Sequence, residues 1–293
     1  LSHDAPIIIL EGDEYLSSPI DRRPKFHLYQ PHIAVLSGIA WDHINVFPTF
    51  EMYVNQFRIF KNMITDTLIY CSEDKELTKL SKETTKCKLI AYSTPNHNIE
   101  NGITSVANTA LLIFGNHNLQ NLNAARLVCN ELGVSDSHFY QKIATFKGAS
   151  NRLELVRRNE TSVIYKDFAH SPSKLKATSS AMKKQFENRK LVACMELHTF
   201  SSLNEEFLKE YKGSMDEPDT AIVYFSPEAI AHKKLEAITK EQVYRAFNRE
   251  DLLVFTDSKE LEKYLNALNW KNQNLLMMSS GTFEGIEFGN LIK

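Results

Sequence analysis

The stretch Ser162–Leu197, "SVIYKDFAHSPSKLKATSSAMKKQFENRKLVACMEL", decides the fold. A strand-like run, "SVIY", leads into a polar cluster. A helical stretch from Ser173 to Phe186 follows, and then a second strand, "KLVACMEL". A helix between two strands rich in Val, Ile and Leu predicts parallel strands covered by helices. The pattern continues to the end of the chain. Helices at Asn204 to Tyr211, Lys240 to Phe247 and Ser258 to Leu268 lead into the strands "TAIVYFS", "LLVFT" and "NLLMMSSG". About five such strands predict a Rossmann-like domain. Just before the quoted stretch, "RLELVRRNETSVIYKDFA" reads as two strands around a polar turn.

Upstream the alternation is similar. "PIIILEG" and "HIAVLSGI" read as strands, and Pro48 to Ile64 as an amphipathic helix with Pro48 in its first turn. "TLIYC" and "KLIAY" read as strands on either side of the helix "KELTKLSKE". Residues 98–115 read as a hairpin ending in the strand "ALLIFG". "HNLQNLNAARLVCNELG" reads as a helix closed by Gly133, and a further helix follows with Ser135 as its N-cap. A helix ends and a new sheet begins between Phe146 and Arg152. The expected domains are therefore residues 1–148 and 149–293. The chain opens on "LSHDAP" with no methionine and runs at once into an apolar stretch, so it is expected to begin inside a domain.

The composition is that of an ordinary soluble domain: 43% hydrophobic and 24% charged over 293 residues. A net charge of −2 leaves no basic surplus for a nucleic-acid backbone. Cys71, Cys87, Cys129 and Cys194 form no CxxC pair, which argues against a zinc site or disulfide framework. No apolar run approaches a membrane span, and no signal-peptide pattern is seen, so the cytoplasm is the expected compartment.

Ligands of open α/β sheets bind beyond the carboxyl ends of the strands. Four polar clusters are expected there: Glu11, Asp13 and Glu14; Asp42 and His43; Lys166, Asp167 and His170; Glu196 and His198. Any one of them reads as a solvated loop or a helix cap. Four on one rim point to a site for a divalent cation such as Mg²⁺, which takes carboxylates, water and phosphate oxygens. None of the ten glycines falls in a GxxxxGK[ST] or G-x-G-x-x-G pattern.

Taken in order, five elements resemble motifs of the Mur ligase family, the ATP-dependent amide-forming enzymes of peptidoglycan synthesis. "IIILEGDEYLSSPIDRRPKFHLYQP" with "WDHINVFPTFEMYVNQF" is similar to the central ATPase domain of the muramate-ligase branch. "FGNHNLQNLNAA" resembles G-x-HN-x-x-N-x-x-A, and "FKGASNRLE" resembles F-x-G-x-x-R-[RL]-E. "VIYKDFAHSP" resembles V-x-D-D-[FY]-[AG]-H-H-P, and "MMSSGTFEGI" resembles the terminal M-S-N-G-G-F-G-G-I turn.

The resemblance implies the remainder of a central ATPase domain followed by a C-terminal Rossmann-like domain, with the UDP-sugar domain and phosphate-binding loop lying upstream. The chain alone would then be inactive. ATP and Mg²⁺ are the implied cofactors. UDP-N-acetylmuramate and an amino-acid or peptide acceptor are the implied partners, with neither nucleic acid nor membrane insertion. Glu11 and His43 would carry the metal, with Asp42 orienting the site. Asn118 and Asn121 would contact adenine, with His117 at the helix start. Arg152 would reach the phosphates, Asp167 the ribose, and His170 would face the nucleotide.

Within the family, Asp21-Arg22-Arg23-Pro24-Lys25-Phe26 matches a D-x-R-[PS]-K-F stretch that points to L-alanyl-γ-D-glutamyl-meso-diaminopimelate as acceptor. L-alanine is the alternative, and a non-catalytic nucleotide-binding α/β module is an alternative of another class. The chain departs from the motifs at Lys166, Ser171, Asn151 and Ser280–Gly285, which places the acceptor in question.

Overall fold

The computed structural model describes residues 3–41 and 46–292. Asp42 and His43 therefore lie outside the described residues. In chain order the elements begin with β1 (Ile33–Leu36), α1 (Phe50–Met63), β2 (Thr67–Cys71), α2 (Lys75–Ser81) and β3 (Lys88–Tyr92). Next come three short strands, β4 (His97–Glu100), β5 (Ile103–Val106) and β6 (Thr109–Leu111), and then α3 (Asn116–Glu131) and α4 (Asp136–Ile143). The later half holds β7 (Glu154–Arg158), β8 (Val163–Asp167), α5 (Pro172–Gln185), β9 (Lys190–Glu196), α6 (Glu205–Leu208), β10 (Thr220–Tyr224) and α7 (Pro227–His232). It closes with α8 (Lys240–Phe247), β11 (Leu253–Phe255), α9 (Ser258–Ala267) and β12 (Gln273–Met278).

These elements form two compact units that are not consecutive in the chain. Leu1–Asn96 and His117–Gln141 form one, and His97–Asn116 and Lys142–Lys293 the other. The first contains a parallel sheet in the order β1-β2-β3. Tyr53, Val54, Phe57 and Phe60 of α1 supply an apolar stripe at helical spacing, which packs in one core with Leu68 and Ile69 of β2. The cap of α1 is Thr49, whose Oγ1 accepts from the Met52 amide, so Pro48 precedes the helix rather than opening it.

The second unit contains a sheet in the order β11-β10-β9-β12-β8-β7, parallel except for the antiparallel edge strand β7. Leu191 to Met195 of β9 and Leu275 to Met278 of β12 are almost wholly buried, because helices cover both faces. The meander β4-β5-β6 belongs to this unit. Thr104 Oγ1 donates to Gln185 of α5 at 2.7 Å, Gln185 donates to the Gly102 carbonyl at 2.8 Å, and Phe114 packs edge-on against Tyr165 and Phe186. Gly102 is at φ +73°, and a Cβ there would stand 2.7 Å from the Phe186 ring, so the position needs glycine.

Three further expectations change. "PIIILEG" is not a strand: Ile7, Ile8, Ile9 and Leu10 are exposed, with Ile9 at 90%, and pair with no strand among the described residues. An apolar, β-branched run becomes a strand only when a neighbour completes its ladder. The 98–115 segment forms three strands rather than a hairpin, and β6 ends at Leu111. Finally, the described polar clusters do not border one sheet: Glu11, Asp13 and Glu14 lie in the first unit, and Lys166, Asp167, His170, Glu196 and His198 border the six-stranded sheet of the second.

Inside the first unit, Lys61 of α1 is only 1% exposed. Its Nζ donates to the Leu80 carbonyl at 2.9 Å and the Glu83 carbonyl at 3.1 Å, closing the C-terminal end of α2. Burial lowers its pKa. Lys61→Ala removes a donor from the Leu80 and Glu83 carbonyls and opens a cavity. It is expected to cost about 2–4 kcal/mol in denaturant unfolding, and Lys61→Met less, because the stem is replaced.

Candidate functional site

β12 lies between β9 and β8, and the residue after it, Ser279, bonds to both neighbours at their carboxyl ends. Its amide donates to the Asp167 carbonyl at 3.0 Å, and its hydroxyl donates to Glu196 Oε2 at 2.5 Å. Glu196, 4% exposed, also accepts from the Phe283 amide at 3.0 Å, and His198 Nδ1 lies 3.5 Å from its other oxygen. The turn after β12 folds over this carboxylate. A Cβ on Gly281 would stand 2.8 Å from both Glu196 and His198, so the backbone approaches only because the position is glycine.

Arg152 is presented by a turn fixed on three sides. Asn151 and Leu153, its neighbours, have φ of 56° and 44°. Glu154 Oε2 accepts from the Asn151 amide at 2.8 Å, Asp167 Oδ2 accepts from the Leu153 amide at 2.7 Å, and the Phe168 amide donates to the Asn151 carbonyl at 2.8 Å. Hydrogen bonding to the Asn151 amide, with the Lys166 ammonium adding to it, holds the Glu154 carboxyl below its usual range. Lys166, where the motif has an aspartate, pairs with Glu154 at 3.2 Å. The exposed Arg152 guanidinium lies 5.5 Å from the centre of the Phe168 ring.

Asp167 is the last residue of β8 and is buried. Its other oxygen, Oδ1, accepts from the Ala169 amide at 2.7 Å. Both oxygens thus hold backbone, one on the Arg152 turn and one on the loop to α5. His170 Nδ1 lies 2.8 Å from the Phe168 carbonyl, which only accepts, so Nδ1 carries the proton. The His170 ring meets Phe168 edge-on at 5.2 Å, and its carbonyl accepts from the Tyr211 hydroxyl at 2.5 Å. Arg152, Asp167 and His170 therefore form one cluster around Phe168.

The first unit carries the other candidates. His117 and Asn118 are half-buried in the first turn of α3, and Asn121 is exposed three residues on. Asn118 and Asn121 share a helix face, as i and i+3 must. Glu11 is exposed in the unpaired segment before Gly12, so it does not sit at the strand end the sequence predicts. His43, its expected partner on the metal, lies outside the described residues. Among the described residues no three His, Cys, Asp or Glu side chains gather as a metal site.

The acceptor-directing stretch has local work to do. Arg23 and Asp21 form an ion pair at 2.7 Å, Lys25 pairs with Asp13 at 2.6 Å, and Phe26 is in the core. The amides of Ser17 and Lys25 close the same loop onto the Arg23 and Tyr15 carbonyls. Sequence reading missed Glu73 and Gln120, whose side chains bond to each other in the first unit at 2.9 Å.

The chain matches the Mur ligase middle domain over residues 4–129 and the Mur ligase glutamate ligase domain over residues 151–281. It is 30% identical over 260 residues to a UDP-N-acetylmuramate–L-alanine ligase of Caldicellulosiruptor bescii, covering 81% of this chain and 54% of that one. The chain thus spans about half the length of the curated relatives it matches. The crystal structure of a UDP-N-acetylmuramate–alanine ligase from Thermotoga maritima superposes with a TM-score of 0.65 at 16% identity, covering 88% of this chain and 58% of that one. That of a murein peptide ligase from Psychrobacter arcticus gives 0.57 at 21% identity, covering 97% and 63%. No helix among the described residues is long and apolar enough to cross a membrane.

Asp167→Asn sets an amide N–H₂ against a backbone donor. It is expected to lower stability by about 1–3 kcal/mol in denaturant unfolding. Asp21 titrates at about 2 because the Arg23 guanidinium bonds its ionised form. A carboxyl depressed in the folded state stabilises above its unfolded pKa and loses that contribution as pH falls through the folded value, here between about 4 and 2. Arg23→Ala should return the Asp21 titration toward 3.8, read by carboxyl-carbon NMR.

Proposed function

Because the chain belongs to the Mur ligase family, we propose that it is the catalytic part of a ligase that joins the carboxylate of UDP-N-acetylmuramate to the amine of L-alanine at the expense of ATP. The observation that carries the nucleotide half of this reading is the Arg152–Asp167–His170 cluster at the carboxyl end of β8, where an open α/β sheet binds its ligand. L-Alanine rests on the 30% identity to an L-alanine ligase. The D-x-R-P-K-F stretch no longer argues for the tripeptide, since Asp21, Arg23, Lys25 and Phe26 are engaged in holding their own loop and core.

In this reading the carboxylate attacks the γ-phosphorus and ADP leaves. The amine then attacks the acyl phosphate, phosphate leaves, and the amine loses its proton. Negative charge builds on phosphoryl and carbonyl oxygens, and fixed positive groups stabilise it. Arg152 supplies such a group. Its turn is held before any ligand arrives, so little ordering remains to be done on binding. Asp167 does this holding, and its part in the ribose contact is through that geometry. Asn118 and Asn121 both donate to and accept from the adenine edge, since an amide offers both functions, and His117 accompanies them in the first turn of α3. His170, with its proton on Nδ1, faces the nucleotide.

Mg²⁺ needs one or two carboxylates with water and phosphate oxygens, and the exposed Glu11 fits that donor set, with His43 as partner and Asp42 beside it. When bound, the metal would offset charge on the phosphates. The 293 residues contain no glycine-rich phosphate loop. The activity is assigned to the whole protein, working in the cytoplasm where its nucleotide substrates are.

The test is ADP release by the whole protein with Mg²⁺ and UDP-N-acetylmuramate. Turnover with L-alanine is expected. Turnover only with L-alanyl-γ-D-glutamyl-meso-diaminopimelate would move the protein to recycling. No turnover with either, in folded protein, would favour a non-catalytic nucleotide-binding module. The 293-residue chain alone is expected to release no ADP.

A further inference from the structure

Just past the end of β2 stand two adjacent carboxylates, Glu73 and Asp74. Asp74 is the N-cap of α2, with Oδ1 accepting from the Leu77 amide at 2.8 Å. Its second oxygen accepts from the Ile39 amide at 3.0 Å and ties down the loop after β1. Glu73 caps nothing. Its Oε1 accepts from the Thr94 amide at 2.5 Å, just past the end of β3, and its Oε2 accepts from Gln120 Nε2 at 2.9 Å.

Gln120 stands between Asn118 and Asn121 on α3. One turn on, Asn123 donates to the Ser93 carbonyl at 2.8 Å. Near its start α3 is therefore tied to the segment that leaves β3 by two side chains, Asn123 directly and Gln120 through Glu73, while Glu131 at its far end accepts from Thr67 and Lys88. A carboxylate that accepts from an amide and a side chain at once makes stronger bonds than a neutral acceptor. The Thr94 amide, with Gln120 adding to it, holds Glu73 below its usual range, so the link stays ionised.

An amide that reads a purine edge must be placed to a fraction of an ångström. We propose that Glu73 is a positioning residue for adenine. Through Gln120 and Thr94 it fixes the turn of α3 that carries Asn118 and Asn121, and so sets the preference for adenine over guanine. The inference rests on the reading of Asn118 and Asn121 given above. Glu73 does not touch the nucleotide.

The experiment compares steady-state kcat and KM for ATP and GTP in the whole protein and its Glu73→Ala, Gln120→Ala and doubly substituted variants, with Tm measured for each. The expected result is a rise of about tenfold in KM for ATP in each single variant. KM for GTP and kcat should be nearly unchanged, so the ATP-over-GTP preference falls. The double variant should be no worse than either single one, because one linkage has been removed. An equal loss for ATP and GTP that follows Tm would overturn the inference and leave Glu73 a general stabiliser. So would additive effects, or an unchanged preference. Failure of the parent reading is distinct: the unsubstituted protein would then show no preference for ATP, and the inference would fall with it.

Discussion

A strand buried on both faces cannot carry polar side chains along its length, because no donor or water is there to meet them. In the six-stranded sheet this constraint pushes nearly all chemistry to the strand ends. β9 stays apolar from Leu191 through Met195, and its first carboxylate is Glu196. β8 ends at Asp167, and β12 gives way to Ser279 one residue past its end. The order β9-β12-β8 then places these three side by side, and Ser279 bonds to both neighbours. The sheet is thus closed along its carboxyl edge by the same groups that shape the candidate site.

That closure gives the buried carboxylates partners within the fold. Asp167 accepts backbone amides on both oxygens, and Glu196 Oε2 accepts an amide and a hydroxyl while its Oε1 faces His198, which compensates for their burial. The side chain they hold in the open is Arg152, whose turn is bonded to Asp167. A buried anion fixes a loop, and the loop offers a solvated cation. In the first unit Glu73 likewise accepts from a backbone amide and a side chain, those of Thr94 and Gln120.

How far the sequence could be read follows from this logic. The β-α-β half was legible because its strands are uniformly apolar and its helices begin at clear caps, such as Thr239 with Gln242 for α8 and Asp257 for α9. The six-residue helix α7 went unread, since one turn and a half shows little periodicity. Ile7 to Leu10 have the composition of a strand, but composition cannot supply a partner, and the run is solvated. Arg152, Asp167 and His170 were legible as a set by their order in the chain. The bonds that hold the set were not, because they depend on amides brought to Asp167 from Leu153 and Ala169 by the fold.

The stretch from Asp21 to Phe26 makes the same point in reverse. Its residue types matched a motif that would name an acceptor, and the structure gives each of Asp21, Arg23, Lys25 and Phe26 a local cause. Glu73 was hidden for the opposite reason. A carboxylate beside another carboxylate at a helix start reads as part of a cap, and here only Asp74 is the cap. What separates the two is a bond across 47 positions of chain, from Glu73 to Gln120. Side chains that act at such a distance leave no periodicity and no spacing rule behind. They become visible only when the donors on the facing element are known, and that places the specificity of such a site in the packing of its supports as much as in the residues that touch the ligand.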